Sequence, residues 1–125
     1  MDAKQLIKWS ILSLAVSGGD IPELPHITSE NIDEVYDDFK NDIYDYEYEF
    51  REGEVETDIS CDYSRHYESN SVATKAPNGI WVGWTYWYGG GKHGEPEAID
   101  WMSDSYILNC VEEEKLVIVR TFLKE

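Results

Sequence analysis

The spacing of apolar residues predicts two helices in the first third of the chain. In residues 3–17, apolar side chains recur every three or four positions, and the glycines at 18–19 supply a stop. A second helix is expected to begin after Thr28 or Ser29, either of which is a suitable N-cap. Its buried stripe would consist of Ile32, Val35, Tyr36, Phe39 and Ile43.

From residue 44 onward, two interpretations of the pattern compete. Tyr46 and Phe50 continue the helical stripe, whereas aromatic and acidic residues also alternate strictly through 44–50. Tyrosine suits a half-buried pleated surface, and the sequence REGE at 51–54 suits a turn. We therefore predict that the chain changes to a strand near residue 44.

Residues 54–63 show the cleanest alternation in the sequence. One predicted face is almost entirely carboxylate, and the other is expected to meet the core. The inward residues would be Val55, Thr57, Ile59, Cys61 and Tyr63. Together with residues 44–50, this run predicts an antiparallel hairpin with one acidic face.

The second half of the chain reads as further strands. A short strand is predicted at 72–76, followed by the turn PNG at 77–79 and the aromatic strand IWVGWTYWY at 80–88. After a glycine-rich loop, SYILNCV and KLVIVRTFL read as two strands joined by a charged turn. The prediction is a single α+β domain, residues 1–125, in which one or two N-terminal helices pack on an antiparallel sheet of about four to six strands.

The aromatic strand offers two alternatives for its tryptophans. Trp84 shares one face with the apolar positions 80 and 82, whereas Trp81 and Trp87 lie on the other face. If both faces are covered, all three are core residues. If only one face is covered, Trp81 and Trp87 form an aromatic patch of the kind that anchors a binding partner.

Charge is distributed very unevenly along the chain. The net charge is -16, and residues 30–62 contain 14 acidic residues and two basic ones, so the other 92 residues carry only -4. On the hairpin interpretation, seven carboxylates would span roughly 26 Å, about one per 4 Å. A single DNA strand carries one charge per roughly 3.4 Å. The candidate partner-binding residues are Asp33, Asp37, Asp38, Asp42, Asp45, Glu47, Glu49, Glu54, Glu56, Asp58 and Asp62, with Trp81 and Trp87.

In size and in the acidity of residues 30–62, the chain resembles the small DNA-mimic inhibitors that phages and mobile elements make against restriction or CRISPR enzymes. The resemblance implies a protein that occupies the basic groove of a nucleic-acid enzyme. Such a surface repels nucleic acids and anionic membranes, so direct binding to either is not expected. The alternatives are an immunity-type protein that neutralises a cationic toxin, an acidic surface that only improves solubility, and, more distantly, an enzyme.

Three short motifs suggest chemistry, but each is incomplete. GGGKHG at 89–94 lacks the Walker spacing needed for a phosphate loop. His93, Glu95 and Glu97 alternate like metal ligands, but Pro96 predicts an irregular loop there. Cys61 and His66 resemble a nucleophile and base, but Cys61 is expected to face inward, where thiols are inert. We therefore expect no catalytic residue, metal or cofactor.

Two cysteines, Cys61 and Cys110, are too few for a disulfide scaffold and are expected to be reduced. The apolar run at 6–19 is a poor signal peptide, because Asp2 weakens its positive start and Lys8 interrupts it. A cytoplasmic location is therefore expected. The sequence makes no prediction about oligomeric state.

Overall fold

Residues 1–124, which the computed structural model describes, form three α-helices and a four-stranded antiparallel sheet. The helices are α1 (Ala3–Ser17), α2 (Ile32–Phe39) and α3 (Tyr44–Phe50), and the strands are β1 (Val55–Glu56), β2 (Glu68–Lys75), β3 (Trp81–Tyr88) and β4 (Tyr106–Leu108). The strand order is β1-β2-β3-β4. The predicted α+β class, with helices first and an antiparallel sheet after them, is confirmed.

Helix α1 lies at the centre of the packing and has the predicted bounds. It begins with a capping box, in which the Asp2 side chain accepts from the Gln5 backbone N–H at 2.8 Å and the Gln5 side chain accepts from the Asp2 N–H at 3.0 Å. Leu6, Ile7 and Ile11 are fully buried on its inner face. The helix contacts α2, α3 and β3, so its apolar stripe forms the middle of the core.

The core lies between the helices and the inner face of the sheet. Val72 of β2 and Val82 and Trp84 of β3 supply the sheet side. The Phe50 ring stacks on Trp84 with 5.3 Å between ring centroids, and Trp84 donates its indole N–H to the Arg51 carbonyl at 2.9 Å. These contacts fix the C-terminal end of α3 against the middle of β3.

Residues 44–50 are a helix, so the predicted change to a strand is wrong. Ile43 and Phe50 are buried and Tyr46 is half-buried, which is the spacing of one helical face. Tyr44 and Tyr48, which a strand would have turned to the same side as Phe50, are 66% and 47% exposed. Burial of Ile43 and Phe50, which lie two helical turns apart, outweighs the alternation of tyrosines.

The predicted strand at 54–63 is also mostly absent, and the predicted acidic hairpin with it. Only Val55 and Glu56 pair with β2, opposite Ala73 and Val72. Val55, Ile59 and Tyr63 are 45%, 42% and 86% exposed, so the predicted inward face does not reach a core. Gly53, between α3 and β1, packs closely on β2, because a Cβ there would lie 2.6 Å from the Val72 Cβ.

The β2–β3 hairpin confirms the predicted turn and aromatic strand, with a longer first strand than expected. Pairing runs without interruption from Glu68 opposite Tyr88 to Lys75 opposite Trp81. The turn closes with an Ala76 N–H bond to the Ile80 carbonyl at 2.8 Å, and Gly79 takes the positive φ of 87° that the turn needs. Two short 3-10 turns, Gly91–His93 and Pro96–Ala98, lead on to β4.

The last predicted strand, KLVIVRTFL, is not formed. Residues 109–124 have no regular secondary structure and are exposed throughout. Of the predicted pair of C-terminal strands, only Tyr106–Leu108 joins the sheet, next to the first three residues of β3.

Candidate partner-binding surface

The acidic residues of α2 are on its outer side because its apolar residues pack against α1. Asp37 and Asp38 are exposed, and within residues 1–124 neither has a cationic group within 4.0 Å. Asp33 differs, because its carboxylate accepts from Lys8 Nζ at 2.8 Å and from Gln5 Nε2 at 3.2 Å. The hydrogen bond from Lys8 lowers the pKa of Asp33. Asp33 therefore joins α2 to α1, and Asp37 and Asp38 remain available to a partner.

Helix α3 carries two exposed candidates and one that is committed to the fold. Asp45 and Glu49 are exposed, and Asp42 is exposed in the turn before the helix. Glu47 is half-buried and accepts from the Tyr36 hydroxyl at 2.5 Å. Burial, and secondly this bond to Glu47, raise the pKa of Tyr36 far above its usual range, so its phenol stays protonated and continues to donate. Glu47 thus ties α3 to α2.

The remaining acidic candidates lie along the β1 side of the sheet. Glu54 accepts a long bond from the Lys75 backbone N–H at 3.4 Å, and Glu56 in β1 accepts from Asn70 Nδ2 at 3.5 Å. Asp58 and Asp62 are exposed in the irregular segment that follows β1. All four are accessible, but they do not form the single row that a hairpin would have given.

Few of the acidic residues at 30–62 take part in an ion pair. In the part of the chain that the structure describes, the ion pairs are Lys8–Asp33 and Lys115–Glu113. Since Asp33 is the one paired member, thirteen of the 14 acidic residues at 30–62 have no cationic group within 4.0 Å among residues 1–124. We call these thirteen carboxylates the uncompensated acidic set.

Arg51, one of the two basic residues within 30–62, is buried. Its side chain is 6% exposed; Nε donates to the Tyr48 carbonyl at 3.1 Å and Nη1 to the Trp87 carbonyl at 3.4 Å. The guanidinium also lies 4.5 Å from the Tyr48 ring centroid. Arg51 therefore joins α3 to β3, a role that its place among glutamates in the sequence did not suggest.

The two candidate tryptophans lie on the outer face of the sheet. Trp81 and Trp87 are half-buried there, while Trp84 on the inner face is fully buried. The Tyr106 ring and the Leu108 side chain lie over Gly83, where a Cβ would come within 2.8 Å of each. Because the helices pack on the inner face, the structure does not bring these tryptophans onto one surface with the acidic residues of α2 and α3.

Two clefts were not anticipated from the sequence. An open cleft of about 560 Å³ separates α1 from α3 and the end of β2 and is lined by Ser10, Ser13, Ser17, Glu49 and Glu54 among others. The serines at three- and four-residue spacing on α1 were the available signal for it. A second cleft, of about 380 Å³, is lined by Lys4, Lys8 and Lys40 together with acidic residues that include the candidates Asp37 and Glu47, so its charges are mixed.

The glycine-rich loop has a structural explanation. Gly89, Gly90 and Gly91 all have positive φ, and a Cβ at Gly90 would lie 2.5 Å from the Tyr67 ring. The Tyr67 hydroxyl accepts from the Glu95 N–H at 3.3 Å and holds the loop from the other side.

No group of three His, Cys, Asp or Glu side chains within residues 1–124 could hold a metal ion. Cys61 is half-buried beside the Ser69 hydroxyl, not inward as predicted.

No family model, curated protein or solved structure matches this chain. Within the described residues, none of the helices has both the length and the apolar character needed to cross a bilayer.

Proposed function

We propose that this chain is an acidic binding protein that occupies the basic groove of a nucleic-acid enzyme as a nucleic-acid mimic. The observation that carries the proposal is the uncompensated acidic set: thirteen carboxylates within residues 30–62 without a cationic group within 4.0 Å. Ordinary surfaces mix both signs of charge, because a field of one sign opposes compact folding.

The two short helices, α2 and α3, contain acidic residues that repel one another. Asp33 and Asp37, Glu34 and Asp38, and Asp45 and Glu49 are like-charge pairs four residues apart within a helix. Each such pair destabilises a helix by about 0.2–0.5 kcal/mol. Lysine at Glu34, Asp38 or Asp45, which are exposed and have no cationic group within 4.0 Å among residues 1–124, would relieve the repulsion without disturbing the core. A partner that requires negative charge explains why these helix positions carry acidic residues and not lysine.

The carboxylates of α2 and α3 are also carried on a fixed frame. The Tyr36–Glu47 hydrogen bond joins α2 to α3, and the Phe50–Trp84 stack joins α3 to the sheet. A groove that binds the nearly rigid phosphate backbone is best matched by charges whose positions are fixed before binding, because less conformational freedom is then lost on association.

The proposal is tested by competition. The protein is used to capture a partner from a bacterial lysate, with elution by salt, and the purified partner is then titrated with labelled duplex DNA or RNA in the presence of the protein. We expect mutually exclusive binding that weakens steeply with salt. A partner that holds the protein and nucleic acid at the same time would show the mimicry proposal to be wrong.

Charge reversal separates position from net charge. In the test variant, Asp37→Lys and Asp38→Lys change two exposed members of the uncompensated acidic set. In the matched control, Glu112→Lys and Glu114→Lys make the same change in net charge outside residues 30–62. We expect competition with nucleic acid to be lost selectively in the first variant. Equal loss in both variants would mean that binding depends on net charge and not on the position of the carboxylates.

A second candidate is favoured by the outer face of the sheet. An immunity-type protein that neutralises a cationic toxin would use a few aromatic anchors, and Trp81 and Trp87 are half-exposed on a face that carries no helix among the described residues. If this candidate is right, Trp81→Ala or Trp87→Ala weakens partner binding by about 2 kcal/mol or more, and the partner binds the protein and nucleic acid without competition.

A further inference from the structure

The C-terminal segment, residues 115–123 with the sequence KLVIVRTFL, has the composition of a strand but no partner. Six large apolar side chains in it are between 78% and 105% exposed, namely Leu116, Val117, Ile118, Val119, Phe122 and Leu123. A contiguous apolar run of this kind on a protein surface marks an interaction site. Residues 109–124 are exposed along their whole length, so the segment does not lie against its own sheet.

The segment is apolar on both sides. In extended conformation Leu116, Ile118 and Phe122 lie on one face, and Val117, Val119 and Leu123 on the other. Strands that are apolar on both faces are those buried on both faces, whereas a strand at a solvated edge alternates with polar residues. The segment therefore requires a site that offers apolar neighbours on both faces of the sheet.

Strand β4 offers such a site. It is the last strand of the sheet, and within residues 1–124 no strand pairs with its far side. Ile107 pairs with the inward Val82 and is 52% exposed, while Leu108 pairs with Trp81 on the outer face and is half-buried. The free edge thus has an apolar side chain on each face. An open edge of this kind is a template for addition of another strand.

Charge favours the same pairing. Residues 115–124 contain three basic residues and no acidic one, a charge of +3, whereas residues 1–114 contain seven basic and 25 acidic residues, a charge of -18. A cationic strand and an acidic body attract one another, and such complementarity raises association rates and fixes partner choice. The chain therefore contains both halves of a complementary pair.

We infer that residues 115–123 of one copy add as a strand to β4 of a second copy, and that the exchange is reciprocal. The linker of six residues, 109–114, spans up to about 21 Å when extended, which is enough to cross to a neighbouring molecule. A reciprocal exchange is a closed two-fold arrangement, so it covers both apolar segments and both free edges at once. The inference does not depend on the proposed function.

The experiment measures the association state of the full chain by sedimentation velocity across a range of concentrations. We expect a dimer, and amide hydrogen exchange that is slow at 116–123 in the dimer. Val119→Pro removes a backbone donor in the middle of the segment and is expected to raise the dimer dissociation constant about tenfold or more. Ile107→Lys, on the receiving edge, is expected to do the same.

The matched control is Glu112→Pro, which places proline in the exposed linker and is expected to leave the dimer intact. Both proline variants lie in residues without regular structure, so the folding of the body is expected to be unchanged. A monomer with fast exchange at 116–123 overturns the inference. So does a monomer with slow exchange, which would place the segment on its own β4, and so does a dimer that survives Val119→Pro.

Discussion

Helix α3 and strand β3 are the two aromatic-rich elements of this protein, and they use their aromatic residues in opposite ways. In α3, Tyr44 and Tyr48 are exposed and only Phe50 is buried. In β3, Val82 and Trp84 are fully buried, and the tryptophans of the other face are half-buried. Strand β3 has hydrogen-bonded neighbours on both sides, whereas residues 44–50 have none to pair with. Alternating aromatic residues therefore form a strand here only where a second strand completes the backbone hydrogen bonds.

The largest expected effect is at the centre of β3. Trp84→Ala removes the side chain that contacts both Phe50 and Trp101, and it should lower the free energy of unfolding by about 3–5 kcal/mol. Trp81→Ala, on the half-exposed face, should cost less than half as much. Urea denaturation measures both, and Trp84→Phe gives a measurable value if the alanine variant does not fold. Equal losses at Trp81 and Trp84 would mean that both faces of β3 are core.

Next in size is the corresponding test of α3. Phe50→Ala should lower the free energy of unfolding by about 3 kcal/mol because the stack on Trp84 is lost. Tyr44→Ala, at an exposed position of the same helix, should change it by no more than about 0.5 kcal/mol. If residues 44–50 paired as a strand with one buried face, the two variants would be similarly destabilised, so comparable losses would contradict the helix.

A smaller effect is expected at the hydrogen bond that holds α3 to α2. Tyr36→Phe removes the donor to half-buried Glu47 and should cost about 1–2 kcal/mol near neutral pH. The pKa of Tyr36 is raised above 10 in the folded protein, so above about pH 10 the unfolded chain loses the phenolic proton and the folded chain keeps it. The free energy of unfolding therefore falls as pH rises above about 10, by up to about 1.4 kcal/mol per pH unit from this group.

This fall in the free energy of unfolding is tested by denaturation of the original chain and of Tyr36→Phe between pH 8 and about 11. The variant should lose stability less steeply with rising pH. Parallel curves would mean that Tyr36 ionises as readily in the folded protein as in the unfolded one.

The smallest expected effect concerns the exposed charges of α2 and α3. Raising the salt concentration from roughly 0.02 to 0.5 M shortens the screening length from about 20 to about 4 Å and should raise the melting temperature by a few degrees. The variant Asp45→Lys, which removes the like-charge pair with Glu49, should show a smaller increase. An unchanged melting temperature would mean that the uncompensated acidic set does not repel itself at these distances.

Elements with local signals could be predicted from the sequence. Helix α1 has a helical repeat, an Asp2 cap and Gly18 after its end, and the β2–β3 hairpin has the turn PNG between two strand-like runs. Helix α3 and residues 54–63 could not be predicted, because their alternation is real and their structure depends on whether a neighbouring strand exists. The acidity of residues 30–62 was plain, but burial of Arg51 and the bond of Glu47 to Tyr36 depend on tertiary contacts.

The C-terminal segment exposes three cleavage sites for a protease with trypsin-like specificity. Lys115, Arg120 and Lys124 lie in the exposed residues after β4, whereas Arg51 is buried and Lys8 is held by Asp33. Exposed segments without hydrogen-bonded backbone are the usual sites of nicking. Cleavage at these three sites gives trimmed chains that keep α1 through β4. If strand exchange covers the segment, cleavage should slow as the protein concentration rises. Abundant protein would then be trimmed more slowly than scarce protein.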